Sequence, residues 1–136
     1  MNDPLTAFPG YSLRRAAHAS SSELATRLGT IGLRQSDASV LMLIGANPSA
    51  TASALGRHLA IQRANMVPLL KRLEDAGLIE RAPIDGKSQG LALTQLGQDR
   101  LDEARQVIES FEAELILRIP ADHRDHLLPA LEAIWR

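Results

Sequence analysis

Four side chains near the middle of the chain are suited to reading the base edges of DNA. They are Gln62, Arg63, Asn65 and Met66. Arginine can bond guanine at two atoms, glutamine and asparagine can do the same with adenine, and methionine can contact the methyl group of thymine. Taken singly, each is also an ordinary residue of a solvated helix. Their grouping indicates DNA binding only if a neighbouring element places that helix in a DNA groove.

Further candidate contacts to DNA surround this group. Lys71 and Arg72 follow one to two helical turns later and are suited to phosphates, which position a protein on the duplex. The remaining predicted DNA-contacting residues are Thr51, Ser53, Lys87, Ser88 and Gln89.

A helix–turn–helix is the element predicted to position these side chains. The pattern indicates a helix over 52–59 capped by Thr51, a turn over 60–62, and a second helix over 63–76 ended by Gly77. The inward side chains of the second helix are predicted to be Val67, Leu70 and Leu73. In such a motif the first exposed residues of the second helix reach the major groove.

A β-hairpin follows at once and completes a winged helix–turn–helix. Its strands are predicted at Leu78–Ala82 and Leu91–Leu93, and the polar tip between them is Asp85–Gly90. Asp85 is predicted to hold Lys87 in place beside a phosphate. An ordinary polar hairpin turn is the alternative interpretation of this tip.

The flanking segments are predicted to be helical. Residues 1–11 are expected to form an irregular arm, followed by a helix from Ser12 to about Ile31. Ser36 is the predicted cap of a short apolar helix over 37–44. Thr94 is expected to cap a long helix over 95–118, and Asp122 to start the last helix. The aromatic residues outside the winged block are expected either to complete the core or to line an interface or pocket: Phe8, Tyr11, Phe111 and Trp135.

Charge is distributed unevenly around a net value of −1. Residues 57–89 hold six Lys and Arg against four acids, whereas residues 98–136 hold nine acids against five arginines. DNA responds to the local patch rather than to the total charge. Because the basic excess is modest, two copies of the site are expected to act together.

Several protein classes are disfavoured by the composition. The chain of 136 residues is 45% hydrophobic and fits one folded domain, without an apolar run long enough for a membrane span. The absence of cysteine and of a signal peptide suits a cytoplasmic protein. Common phosphate-loop, serine-hydrolase and zinc-protease motifs are absent, so no enzyme is predicted. His123 and His126 are too few for a zinc site, and no metal or cofactor is expected.

A second group of candidate residues lies on the first helix. Arg14, His18 and Ser22 fall at i, i+4 and i+8, and Tyr11 precedes them. The arginine suits a carboxylate, and the histidine and serine can hydrogen-bond a ligand. These four residues form the predicted effector-binding set. A solvent-facing stripe, or polar packing against another subunit, is the alternative interpretation.

The order and motifs of the chain resemble the MarR family of bacterial transcriptional regulators. Leu70, Leu73, Glu74, Gly77, Leu78, Ile79 and Arg81 are similar to the family pattern L-x-x-L-E-x-x-G-L-I/V-x-R. The wing and the start of the next helix, at 85–88 and 93–97, are similar to D-x-R-S/A followed by L-T-x-x-G. The chain departs from the family at Lys87, where arginine is usual, and at Pro68 within the second helix.

The resemblance implies one domain over 1–136, with a winged part at 36–94 and dimerisation helices at 1–35 and 95–136. It implies a homodimer that binds a pseudo-palindromic operator on double-stranded DNA. It also implies a repressor released by a small aromatic or phenolic compound, or by its thioester. The alternative is a ligand-binding or protein-interaction module that keeps this fold and has lost DNA binding.

Overall fold

The computed structural model describes residues Met1 to Arg136 as six α-helices and one two-stranded antiparallel sheet. The helices are α1 Pro9–Gly29, α2 Gln35–Ala46, α3 Ala52–His58, α4 Arg63–Asp75, α5 Gln95–Arg118 and α6 Arg124–Trp135. The strands are β1 Ile79–Pro83 and β2 Gln89–Leu93, and short 3-10 turns at Pro4–Ala7 and Ala121–His123 precede α1 and α6. The predicted fold class, mainly α with a two-stranded wing, is confirmed. None of the helices combines the length and apolar character needed to cross a bilayer.

The hydrophobic core is built around α2. Val40 and Leu41 of this helix are completely buried, and they share one cluster with Leu70 of α4, Leu91 of β2 and Leu101 of α5. Burying one such leucine stabilises the fold by about 1.5–3 kcal/mol. Because the same cluster touches the helix–turn–helix, the wing and the long helix, these elements form one packed unit.

The first helix begins earlier than the sequence predicts. The expected irregular arm over 1–11 is wrong, because α1 starts at Pro9 and a 3-10 turn capped by Asp3 precedes it. Proline is favoured at the first position of a helix, where its missing N–H costs no hydrogen bond. Tyr11 therefore lies within α1, where its hydroxyl donates to Asp3 at 3.3 Å and accepts from Arg15 at 2.8 Å.

The start of α2 also differs from the prediction. Ser36 does not cap this helix; the capping position is Arg34 and the helix begins at Gln35. The Asp37 carboxylate, at the third helical position, accepts the Arg34 backbone N–H at 2.8 Å. An acid at this position can reach back to the capping amide, which is how this helix start is satisfied without a serine.

Three predicted boundary signals are confirmed. The Thr51 hydroxyl accepts the Ala54 N–H at 3.2 Å and caps α3. The Thr94 hydroxyl accepts the Gly97 N–H at 3.0 Å and caps α5. Gly77 follows α4 with a φ of +73°, the left-handed conformation that favours glycine at a helix end.

The wing is attached to the body by a close backbone contact. Strands β1 and β2 pair in a register that sets Ile79 opposite Leu93, and the Leu91 N–H donates to the Ala50 carbonyl at 2.8 Å. A Cβ added at Gly90 would lie 2.8 Å from the Ser49 Cα, so only glycine fits there. This bridge ties the wing to the loop between α2 and α3.

Charged side chains join α1 to α5. Arg27 pairs with Glu23 at 2.8 Å and with Glu114, and Arg118 pairs with Glu23 at 2.7 Å. The hydrogen bonds from Arg118 and Arg27 lower the pKa of Glu23 to about 2. The Arg27 guanidinium also lies over the buried Phe111 ring, 5.5 Å from its centre. The long helix is thus held along the first helix by charge as well as by packing.

Apolar side chains at both chain ends remain exposed in the single chain. Helix α6 contributes no buried residue, and its Leu128, Ile134 and Trp135 are 65%, 65% and 71% exposed. At the other end, Phe8 is 60% exposed. Of the two interpretations of the aromatic residues, the core applies to Phe111, whereas Phe8 and Trp135 lie on the surface.

Candidate nucleic-acid interface

The helix–turn–helix is closed by a tight turn between α3 and α4. Ala60 adopts a left-handed φ of +53°, and the Ile61 N–H donates to the Gly56 carbonyl at 2.9 Å. A Cβ at Gly56 would lie only 3.1 Å from the Ile61 carbonyl and 3.2 Å from Met66. The close approach of the two helices sets the angle at which α4 leaves the body.

Three predicted base-reading residues are placed as expected. Gln62 stands at the N-cap position of α4 without a side-chain capping bond, and the side chains of Gln62, Arg63 and Asn65 are exposed. None of the three side chains makes a hydrogen bond or ion pair within the chain, so their donors and acceptors are free for an external partner. At the start of α3, Ser53 is exposed, whereas Thr51 is half-buried and its hydroxyl is used as the helix cap.

The prediction for Met66 as a DNA contact is wrong. Its side chain is 2% exposed and packs in the core with Leu69, Leu70 and Leu73. Val67, predicted to face inward, is instead 58% exposed. A stripe through Val67 and a stripe through Met66 both fit the helical repeat. The stripe with Met66 and Leu69 is the buried one, because it lets α4 bury four side chains against the body. Val67 is thus the surface residue that sequence reasoning missed, although the spacing 66, 69, 70 and 73 contained the signal.

Arg72, predicted to contact a phosphate, forms an ion pair within the chain. Its guanidinium bonds the Asp37 carboxylate of α2, whose side chain is only 5% exposed. A carboxylate removed from water needs a paired charge or several donors. Arg72 and the Arg34 N–H together supply these partners, so Arg72 joins the recognition helix to α2 although 39% of its side chain is exposed.

We expect Arg72→Ala to lower the free energy of unfolding by about 1–3 kcal/mol, because buried Asp37 loses its charged partner. The salt dependence of DNA binding should keep its slope, since no phosphate contact is removed. Denaturant unfolding and binding titrations at several salt concentrations measure both quantities.

Lys71→Ala is the matched control for this variant. Lys71 is 74% exposed and pairs only with Asp75 on the same helix, at 3.1 Å, so it stays available to a phosphate. Its removal should flatten the slope by about 0.9 with little change in stability. If Arg72→Ala instead flattens the salt dependence of DNA binding and leaves stability unchanged, Arg72 contacts a phosphate, as the sequence suggested.

The wing tip presents polar side chains on an ordered turn. Lys87, Ser88 and Gln89 are exposed, as a DNA contact requires. The Asp85 carboxylate accepts the backbone N–H groups of Lys87 and Ser88, both at 2.8 Å, and these bonds lower the pKa of Asp85. Asp85 holds Lys87 in place as expected, through the backbone N–H of Lys87, and leaves the side-chain ammonium free.

The four candidate effector residues share one face of α1. Arg14, His18 and Ser22 are exposed, and Tyr11 is half-buried under its contacts with Asp3 and Arg15. A cleft of about 420 Å³ lies between α1 and α5, and one of about 240 Å³ lies between α2 and α3, but neither is lined by the four residues. They lie on the exposed side of α1, outside both clefts.

Comparisons with known proteins decide the family. Residues 31–88 match the model of the MarR family. The transcriptional repressor CouR, solved on a 23-mer DNA duplex, is 32% identical, with an alignment over 97% of this chain and 95% of CouR and a TM-score of 0.89. CouR bound to p-coumaroyl-CoA is 31% identical over 100% of this chain and 97% of CouR, with a TM-score of 0.88. The chain belongs to the MarR family.

A second relative agrees with this assignment. The HTH-type transcriptional repressor Rv2887 of Mycobacterium tuberculosis is 26% identical over 92% of this chain and 91% of its own length. Its structure with salicylic acid matches with a TM-score of 0.75, over 98% of this chain and 97% of Rv2887. The prediction of a winged helix–turn–helix transcription regulator of the MarR family is confirmed. The individual DNA and effector contacts remain predictions.

Proposed function

We propose that this protein is a homodimeric repressor that releases its operator when it binds an aromatic acid or the coenzyme A thioester of one. The carrying observation is that both CouR structures, one on DNA and one with p-coumaroyl-CoA, match this chain over nearly its whole length. As a cytoplasmic regulator, the protein would meet both partners in one compartment.

The DNA part of the proposal rests on the free end of α4 and on the wing. Gln62, Arg63 and Asn65 are exposed with unpaired side chains, and Lys71 and Lys87 are exposed cations suited to phosphates. A lysine at the wing tip supplies charge without the forked geometry of arginine, so Lys87 is assigned to the backbone rather than to base edges. The two subunits place two such surfaces on a pseudo-palindromic site.

The dimer part rests on the apolar side chains left exposed at both ends. Phe8, just before α1, and Leu128, Ile134 and Trp135 of α6 are large apolar side chains that are each at least 60% exposed, so they call for a partner surface. Intertwined N- and C-terminal helices would bury them, and the same contact would cover the exposed face of α1. The candidate effector residues then lie beside a second subunit, which supplies the missing wall.

The effector part rests on the chemistry of that face. Arg14 makes no ion pair within the chain, and His18 and Ser22 carry hydrogen-bonding groups one and two turns further on. A carboxylate or phenol can use these groups, and an exposed arginine also suits the phosphates of coenzyme A. A ligand releases DNA only if it binds the DNA-incompetent dimer more tightly.

A release assay tests the proposal. The protein is bound to a fluorescent duplex selected from a random library, and p-coumarate, salicylate, benzoate and p-coumaroyl-CoA are titrated in. At least one compound should weaken DNA binding about 5- to 150-fold, as a coupling of about 1–3 kcal/mol implies. Arg14→Ala and His18→Ala should bind the free duplex normally and no longer respond.

Arg105→Ala is the matched control, because its side chain is exposed on α5 and belongs to neither predicted contact set. If an active compound still releases DNA from both Arg14→Ala and His18→Ala, the effector binds away from this face of α1. Failure to select any duplex would favour the alternative function, a ligand-binding or interaction module without DNA binding.

A further inference from the structure

We infer that the recognition helix reads thymine methyl groups through an apolar ridge made by Ala64, Val67 and Pro68. The inference rests on the proposed function and adds the base class that this surface selects. All three residues are exposed, and Val67 is 58% exposed. An exposed β-branched residue beside an exposed proline is an unusual choice for the outer face of a solvated helix, and a partner surface explains it.

The ridge occupies the centre of the outward face of α4. Positions 64, 67, 68 and 71 follow the i, i+3, i+4, i+7 repeat of one helix face. The buried stripe, with Leu69 and Leu70 at its edges, lies on the opposite side of the same helix. The part of α4 that points furthest from the body is therefore apolar, and Arg63 and Lys71 stand as cations at its two ends.

Pro68 supports the same assignment because its position is costly. It is the sixth residue of α4, beyond the first turn, so its missing N–H removes one bond of the helix ladder. Its ring is exposed and contributes nothing to the core. A residue that weakens the helix without packing inside it is best explained by what it contacts outside.

The major groove offers one apolar group to such a ridge. Among the four bases only thymine presents a methyl group there, at C5, whereas guanine, adenine and cytosine present polar atoms. Contact between Val67 and a thymine methyl removes apolar surface from water. The same valine placed over cytosine or guanine would desolvate a donor or acceptor without replacing its hydrogen bond. The ridge therefore favours thymine and disfavours G·C pairs at the positions it covers.

Deoxyuridine substitution tests this directly, because uracil is thymine without the C5 methyl. A duplex is first selected from a random library with the unmodified protein. Each thymine of the selected half-sites is then replaced by deoxyuridine, singly and in both half-sites, and affinities are measured for the unmodified protein and for Val67→Ala. Thymines outside the half-sites are substituted as DNA controls.

Removal of one buried methyl corresponds to about fourfold weaker binding per half-site, and to about fifteenfold for two half-sites. The unmodified protein should show this weakening at one or two thymines, whereas Val67→Ala should bind the thymine and uracil duplexes within about twofold of each other. Val67→Ile keeps the methyl contact and should keep the discrimination. Cytosine carrying a 5-methyl group should bind better than plain cytosine at the same position.

The outcomes distinguish the ridge from the proposed function. Suppose that a duplex is selected and that deoxyuridine weakens the binding of Val67→Ala as much as that of the unmodified protein at every position. The apolar ridge then does not read methyl groups, and this inference fails while the proposed function stands. If no duplex is enriched over random DNA, the proposed function fails and this inference fails with it. Thermal unfolding of Val67→Ala should match the unmodified protein, because the side chain lies outside the core.

Discussion

Introducing aspartate at Ile134 and Trp135 together is expected to turn the dimer into a monomer and to weaken operator binding by about 10²–10⁴-fold. Both side chains are more than half exposed in the single chain, and no residue of α6 is buried. Two charges on an apolar dimer surface oppose association strongly. A monomer engages one half-site, so it loses the gain in affinity that comes from linking two binding surfaces.

Sedimentation at micromolar concentration and operator titration measure the two effects. Leu96→Asp is a matched control, because Leu96 is an exposed apolar residue at the wing end of α5. Leu96 lies roughly 33 Å from the end of α5 that adjoins α6. Its substitution should therefore leave the dimer intact. An unmodified protein that sediments as a stable, folded monomer would contradict the expectation from the outset.

Arg63→Ala is expected to have the largest effect on sequence discrimination. Arg63 is the first residue of α4, and its exposed guanidinium makes no hydrogen bond or ion pair within the chain. Removing a bidentate pair between arginine and a base lowers discrimination between operator and random DNA by about 1–3 kcal/mol per half-site. For a dimer on two half-sites this corresponds to about 30-fold to 10⁴-fold.

Lys87→Ala provides the contrast, because a phosphate contact carries no base information. It should weaken binding to operator and random DNA alike and flatten the salt dependence by about 0.9 for each phosphate that is no longer neutralised. Competition titrations with both DNAs at several salt concentrations separate the two patterns. If Arg63→Ala leaves the ratio of the two affinities unchanged, α4 does not dock by its N-terminal end.

Signals that act over a few residues were readable in the sequence. The threonine caps at Thr51 and Thr94 and the glycine at Gly77 occur where predicted, because each satisfies backbone groups within three or four positions of itself. The hairpin tip and the long α5 followed from the same kind of local rule. Even here, the capping position fell at Arg34 rather than Ser36, because Asp37 could reach back and satisfy the helix start.

The inward face of α4 was not determined by local pattern. Stripes through Met66 and through Val67 both share Leu70 and Leu73 and both fit the helical period. The packed structure buries Met66 because its side chain fills the space beside Gly56. Which residue reads DNA and which one supports the core therefore depended on the angle between two helices, and the sequence contains no short-range record of that angle.

Composition, motifs and caps by themselves determined the family, the winged fold and the residues available at the start of α4. Only the tertiary structure decided that Arg72 pairs with Asp37, 35 positions away, and that Val67 rather than Met66 faces outward. It also showed that the face carrying Arg14 and His18 is open in the single chain. The physical reason is range: caps and turns are satisfied by near neighbours, whereas burial and ion pairing depend on distant segments that meet only after folding.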